Sequence, residues 1–293
     1  MNKIEALLES EPILLLDGAM GTLLMSAGLE SGASPEQWNV LYPERVRAVH
    51  RAYIQAGARL VLTNSFGGTR VRLKRHMLEE QVAEINRAAA ANARAEADLA
   101  PQTVLVAGSM GPSGELLKPL GPLTYEACVA AFAEQAAALM EGGADLLWVE
   151  TMSDLNEVRA AVEGARSTTN LPIAATLSFD MKGRTMMGTT PAKAVEVLGN
   201  LDLLFIGANC GTGPDEMETI IQAMHAANPK AILIAKANAG LPKLVEGQVI
   251  YDGSPERMAE YAVRMRELGA RMVGACCGST PEHIRAMAEA LKS

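Results

Sequence analysis

Residues 271–291 read RMVGACCGSTPEHIRAMAEAL, one complete strand, turn and helix. The apolar run 272–274 has the near-continuous character of a buried parallel strand, and two cysteines and a glycine stand at its end. Thr280-Pro281 then sets a capping hydroxyl before a proline at the first helical position, where a missing N–H is harmless. Helical periodicity carries on to Leu291.

The same unit recurs along the chain. Apolar runs of strand length stand at 13–16, 60–62, 104–107, 146–149, 173–177, 203–206 and 231–235. Helical patterns fill 43–57, 81–97, 124–142, 154–166, 191–198, 214–227 and 255–268. In the first of these Val46, Val49 and Tyr53 share a face and Gly57 is a natural stop. Thr190-Pro191 and Ser254-Pro255 repeat the helix-start chemistry. Residues 27–41 are predicted to form an irregular loop after the first strand. Eight βα units with no low-complexity linker predict an α/β fold, a single (β/α)8 TIM-type barrel domain over residues 1–293. An open doubly wound sheet is the other architecture this alternation allows.

Composition narrows the function. The 26 basic against 34 acidic residues give a net charge of −8, and the one basic run, RVRLKR at 70–75, reads as a solvated helix face. A nucleic-acid partner needs a concentrated basic surface, so that class is excluded. No apolar stretch reaches the ~18 residues of a membrane span, and the N-terminus lacks the apolar core of a signal peptide. A cytoplasmic protein is expected. In that reducing compartment four cysteines point to metal or catalysis rather than disulfides.

In a barrel the chemistry gathers where strands end. Those ends carry Asp17 to Thr22, Thr63 to Gly68, Gly108 to Pro112, Glu150-Thr151, Asn209-Cys210, Asn238 and Cys276-Cys277. Cys210 closes the sixth run and Cys276-Cys277 the eighth, which a barrel can bring together. Three thiolates with one open position suit a catalytic zinc, since structural sites fill all four. A substrate thiol arriving as fourth ligand would be deprotonated and stay nucleophilic. Cys128 lies mid-helix and is expected to pack. His50, His76, His225 and His283 fall in helical segments and are expected to pack or face solvent. Asp17 and Glu150, at strand ends, suit a cation seat or an acid/base pair equally.

At these positions the chain resembles the homocysteine S-methyltransferase family. The matching pieces are DGAMGT (17–22), TNSFGG (63–68), GSMGPSGE (108–115), ET (150–151), GANCG (207–211), NAGLP (238–242) and GACCGSTPEHI (274–284). The resemblance implies a barrel that methylates homocysteine to methionine, with Zn2+ on Cys210, Cys276 and Cys277. It further implies that Asp17 and Glu150 hold the substrate's ammonium group and the N–H groups of Gly18 and Ala19 its carboxylate. Asn238 stands where methionine synthase-like members offer an exchangeable fourth ligand, or it fixes a tight turn before Gly240. The wording is most similar to the methionine synthase module, so a methyl-corrinoid/methyltetrahydrofolate system is the expected donor. No folate- or cobalamin-binding domain follows in this sequence, so a separate corrinoid or folate protein would supply it.

Betaine or S-methylmethionine is the alternative donor. The Tyr that betaine-dependent animal enzymes carry after the strand-4 Glu is Thr151 here, and Ala237 replaces a common proline. An aromatic cage for a quaternary ammonium would have to draw on Trp38, Tyr42, Phe66, Trp148 and Tyr251. Three other readings remain: a Schiff-base barrel using Lys236, a redox protein using Cys276-Cys277, and a non-catalytic thiol-binding subunit.

Overall fold

The computed structural model describes residues 3–180, 182–211, 213–245 and 248–292. Eight parallel strands form its central sheet: β1 (Leu14–Leu15), β2 (Leu60–Leu62), β3 (Leu105–Met110), β4 (Leu146–Met152), β5 (Ile173–Leu177), β6 (Phe205–Asn209), β7 (Leu233–Ala237) and β10 (Ala270–Ala275). Their order is β1-β10-β7-β6-β5-β4-β3-β2. A parallel bridge between Leu16 and Leu60 joins the two ends, so the sheet curls into a barrel. The remaining strands, β8 (Pro242–Val245) and β9 (Gln248–Tyr251), form an antiparallel hairpin after β7.

Helices ring the barrel. They are α4 (Pro43–Gln55), α6 (Val82–Asp98), α7 (Tyr125–Glu141), α8 (Leu155–Thr168), α9 (Pro191–Leu198), α10 (Pro214–Ala227), α11 (Pro255–Glu267) and α12 (Pro281–Leu291). Three of the expected starts are capped as their sequences require. The Thr190 and Ser254 hydroxyls accept the N–H groups of Lys193 and Arg257, both at 3.3 Å. At Thr280 the cap is shared: its N–H donates to His283 Nδ1 at 3.0 Å, which leaves Nε2–H for the Gly253 carbonyl at 2.8 Å. His283 is therefore a structural residue.

Strand parity sorts the core into two layers. Leu15, Val61, Val106, Leu147, Ala175, Ala235 and Val273 face the helices. Their neighbours Leu14, Leu16, Leu60, Leu62, Leu105, Trp148, Ile234 and Met272 fill the barrel. Ile4 and Leu7 of α1 (Lys3–Ser10) join this inner cluster, and Arg271 donates to the Leu8 and Glu11 carbonyls to hold α1 there. Truncating Trp148, which is fully buried, would cost about 3–5 kcal/mol. Inward parity continued toward the strand ends places Ser109, Glu150, Thr176, Asn209 and Lys236 above this apolar floor, all buried.

Several expectations shift. β6 and β7 begin two residues later than their apolar runs, which brings Asn209 and Lys236 inside the strands. The stretch 27–41 is less irregular than expected. It follows α2 (Met20–Ser26) and ends in α3 (Trp38–Leu41), because Trp38 is buried and the Asn39 amide donates to the Glu36 and Asn64 carbonyls. The basic run also does more than face solvent. Within α5 (Arg70–Leu73) Leu73 is buried, and the Arg72 guanidinium lies 5.0 Å over the Phe66 ring. Among the described residues no helix is long and apolar enough to cross a membrane.

Candidate functional site

Strand β7 lies between β6 and β10 and serves as a template for both thiol-bearing ends. The Cys210 N–H donates to the Lys236 carbonyl at 3.0 Å, and the Cys276 N–H to the Ala237 carbonyl at 2.7 Å. Gly207 allows the close pairing this needs, since a Cβ there would stand 2.1 Å from the Ile234 carbonyl oxygen. Cys210 itself sits at φ +57° and Gly211 at φ +71°, which turns the chain sharply and aims the thiol inward.

The three sulfurs converge. Cys210, Cys276 and Cys277 each present Sγ within 4.8 Å of the others, and Cys210 and Cys277 are 3.6 Å apart. Four ligands around a zinc at about 2.3 Å would be about 3.8 Å from one another, so the donor set fits a tetrahedral zinc site. Among the described residues no histidine or carboxylate joins this group. Hydrogen bonding to Cys276 and burial push the Cys210 thiol up to about 12, and contact with Cys210 helps push Cys277 up to about 11. Three thiols this close resist ionising together; a divalent cation among them removes that resistance.

Asn238 supports the cluster from β7's end. Its Oδ1 accepts the Cys277 N–H at 3.1 Å, and its carbonyl accepts the Gly240 N–H at 2.8 Å in a turn where Gly240 has φ +88°. Tyr251, at the end of β9, lies against the turn that follows the paired cysteines: a Cβ on Gly278 would stand 2.2 Å from its ring. Its hydroxyl interacts with Cys277.

The acidic residues stand beside the thiols. Asp17 Oδ1 pairs with Lys236 Nζ at 2.7 Å, and Oδ2 accepts the Leu62 N–H at 2.7 Å. Burial alone would lower the lysine pKa, but Asp17 and Glu150 outweigh it and hold Lys236 above its ordinary value. A lysine kept as ammonium is no nucleophile, which removes the basis of the Schiff-base reading. Glu150 Oε1 accepts the Ser109 hydroxyl, and Oε2 accepts the Asn209 amide at 3.3 Å. Asn209 also takes the Thr151 N–H at 2.8 Å and donates to the Thr151 hydroxyl at 2.7 Å. That clamp holds Thr151 at φ +59°, a conformation a β-branched residue adopts only under constraint.

At the β1 end the Ala19 N–H donates to Ser279 Oγ at 3.0 Å, and the Tyr53 hydroxyl to the Ala19 carbonyl at 2.9 Å. Gly18 is needed there, because a Cβ would lie 2.4 Å from Ser279 Oγ and 2.8 Å from the Tyr53 hydroxyl. Asn209, Ser109, Ser279 and Tyr53 were given no role in the site by the sequence. Asn209 lay in the GANCG stretch, Ser109 in GSMGPSGE and Ser279 in GACCGSTPEHI, and these stretches were the available signals.

Residues 14–291 match the model of homocysteine S-methyltransferase. The chain belongs to the homocysteine S-methyltransferase family. The family that the sequence resembles is therefore the one the chain belongs to. Within this family the chain is 34% identical over 301 residues to methionine synthase of Mycobacterium tuberculosis. That match takes in 96% of this chain and 25% of the relative; methionine synthase of Mycobacterium leprae matches equally well, over 24% of its length. The chain thus spans about a quarter of the length of these curated relatives. It also superposes on the metallated form of the homocysteine methyltransferase MmuM from Escherichia coli. The TM-score is 0.82 at 28% identity, covering 98% of this chain and 99% of that one.

Proposed function

We propose that this homocysteine S-methyltransferase family member is one zinc-dependent catalytic domain that converts homocysteine to methionine. The observation that carries the reading is the convergence of the Cys210, Cys276 and Cys277 sulfurs beside a buried acidic patch, in a family defined by this reaction. Cys210, Cys276 and Cys277 would hold the metal. When bound there, zinc would lower the pKa of an incoming thiol and present it as a nucleophile at neutral pH.

The chain's own residues do the rest. The acidic side of the pocket, Asp17 and Glu150, attracts the substrate's ammonium group. The turn at Gly18 and Ala19 faces its carboxylate with backbone N–H donors; that of Ala19 is held by Ser279, which fixes the turn, and would reach the carboxylate only by giving up this bond. Asn238, through the Cys277 N–H, sets the direction of that thiol. It would serve as an exchangeable ligand only by giving up this bond. Thr151, clamped by Asn209, keeps Glu150 aimed into the pocket.

A methyl-corrinoid or methyltetrahydrofolate system carried on another protein segment is the donor we favour, because the methionine synthases matched here are about four times longer than this chain. Three thiols kept free of disulfides suit a reducing cytoplasm. A betaine donor is less well served. Trp148 is fully buried in the barrel, and Trp38 and Tyr42 flank the Arg45 guanidinium at about 5 Å, so neither group is free to cage a second cation. The test is methionine formation by the zinc-loaded protein offered methylcobalamin, S-methylmethionine and betaine separately. Turnover with methylcobalamin is expected; none with any of the three would overturn the proposal.

A further inference from the structure

β8 and β9 form an excursion from the barrel whose last residue is Tyr251. The chain is pinned directly after it: the Gly253 N–H donates to the Ala239 carbonyl and His283 Nε2–H to the Gly253 carbonyl, both at 2.8 Å. Gly278 is the seat on which the Tyr251 ring lies, since a Cβ there would stand 2.2 Å from it. The half-buried ring packs against the core, and its hydroxyl reaches the thiol cluster and donates to Cys277 Sγ. A phenol titrates near ~10 and carries its proton at neutral pH, whereas a thiolate can only accept.

The other two sulfurs are met by different groups. The Gly211 N–H donates to Cys210 Sγ, and the Lys236 ammonium interacts with the charge on Cys276. These contacts matter because a methyl-transfer site built on thiolates has more than one nucleophile. With zinc bound, the three cysteine thiolates would stand beside the substrate's own, and each could attack a methyl electrophile. Attack by Cys277 would form a sulfur–carbon bond as the bond from carbon to the leaving group breaks, and the leaving group would depart with that electron pair. The cysteine would become a thioether, which carries no charge with which to hold zinc. A hydrogen bond from a hydroxyl stabilises the thiolate and occupies a lone pair that this attack needs.

We propose that Tyr251 is a positioning residue that directs methyl transfer to the substrate by hydrogen bonding the Cys277 sulfur and keeping it from being methylated itself. The inference rests on the reading of the three cysteines as zinc ligands and of homocysteine as the acceptor. It gives the β8–β9 hairpin a task, which is to deliver one hydroxyl to one sulfur.

The experiment exposes zinc-loaded wild type and Tyr251→Phe to iodomethane without homocysteine and follows each cysteine by peptide mass spectrometry. Phenylalanine keeps the ring on Gly278 and removes only the donor. The initial rate of Cys277 methylation should be about tenfold higher or more in the variant, the worth of one hydrogen bond to a charged sulfur, while Cys210 and Cys276 keep their wild-type rates. Zinc should leave in step with that methylation. With cobalt(II) in place of zinc, the sulfur-to-metal charge-transfer band should move to longer wavelength in the variant. Equal Cys277 rates, faster methylation of all three cysteines, an unmoved band, or a variant that takes up no zinc would overturn the guarding role and leave the homocysteine reading intact. Wild type that takes up zinc but gives no heat of binding with homocysteine would overturn that reading instead, and the methylation rates would still decide the role of Tyr251. Wild type that takes up no zinc would overturn both.

Discussion

His50, on α4, is fully buried, and neither ring nitrogen has a hydrogen-bond partner. Burial lowers its pKa from 6.5 to about 4. On acidification the unfolded chain takes up this proton near pH 6.5, and the folded protein only near pH 4. Between those values the unfolded state binds more protons, so stability falls as pH falls, and the loss is complete below about pH 4. At 1.36 kcal/mol per unit, a difference of about 2.5 units amounts to about 3 kcal/mol. The assay is urea unfolding of metal-free protein from pH 7.5 to 4, for wild type and His50→Leu. Removing the metal keeps ligand release out of the comparison, and leucine has similar volume and does not titrate. The stability of His50→Leu relative to wild type should rise by about 3 kcal/mol toward acid. A difference that stays constant with pH would refute the reasoning.

Two substitutions probe the frame of the site. Gly278→Ala forces a side chain into φ +80° and into the Tyr251 ring, so a loss of about 1–3 kcal/mol in unfolding free energy is expected, with weaker zinc retention. Unchanged urea midpoints and zinc affinity would contradict it. Asn209→Ala removes the clamp on Thr151 and a donor to Glu150. Steady-state kinetics should show a KM for homocysteine raised several-fold, and metal analysis should show zinc content unchanged.

The barrel was legible because its strands are buried on both faces, and such runs stay apolar wherever helices cover a parallel sheet. Proline-marked helix starts at Thr190, Ser254 and Thr280 set the register of the outer ring. The thiol cluster was legible for a related reason: residues at the ends of β6 and β10 are far apart in sequence but separated by one strand. What escaped was side-chain pairing across strands. Nothing local in the sequence says that Lys236, read as a possible nucleophile, meets Asp17 some 219 positions away. Nor does it say that Asn209 grips Thr151 from the neighbouring region of the barrel. The ends of β6 and β7 were misplaced because a polar Asn and Lys interrupt the apolar pattern; the top of the barrel tolerates them by pairing them. The ordering of residues 27–41 likewise depends on Asn39 finding the Asn64 carbonyl, a contact with no sequence signature.

The central claim is that the thiols of Cys210, Cys276 and Cys277 hold the zinc on which homocysteine is methylated. The most direct test measures bound zinc and methionine formation together, in wild type, in each Cys→Ala variant and in the triple variant. The account predicts about one zinc per wild-type chain, with zinc and activity lost together in every variant while the far-ultraviolet circular dichroism of the barrel is retained. A metal-free triple variant that still forms methionine at the wild-type rate would contradict it.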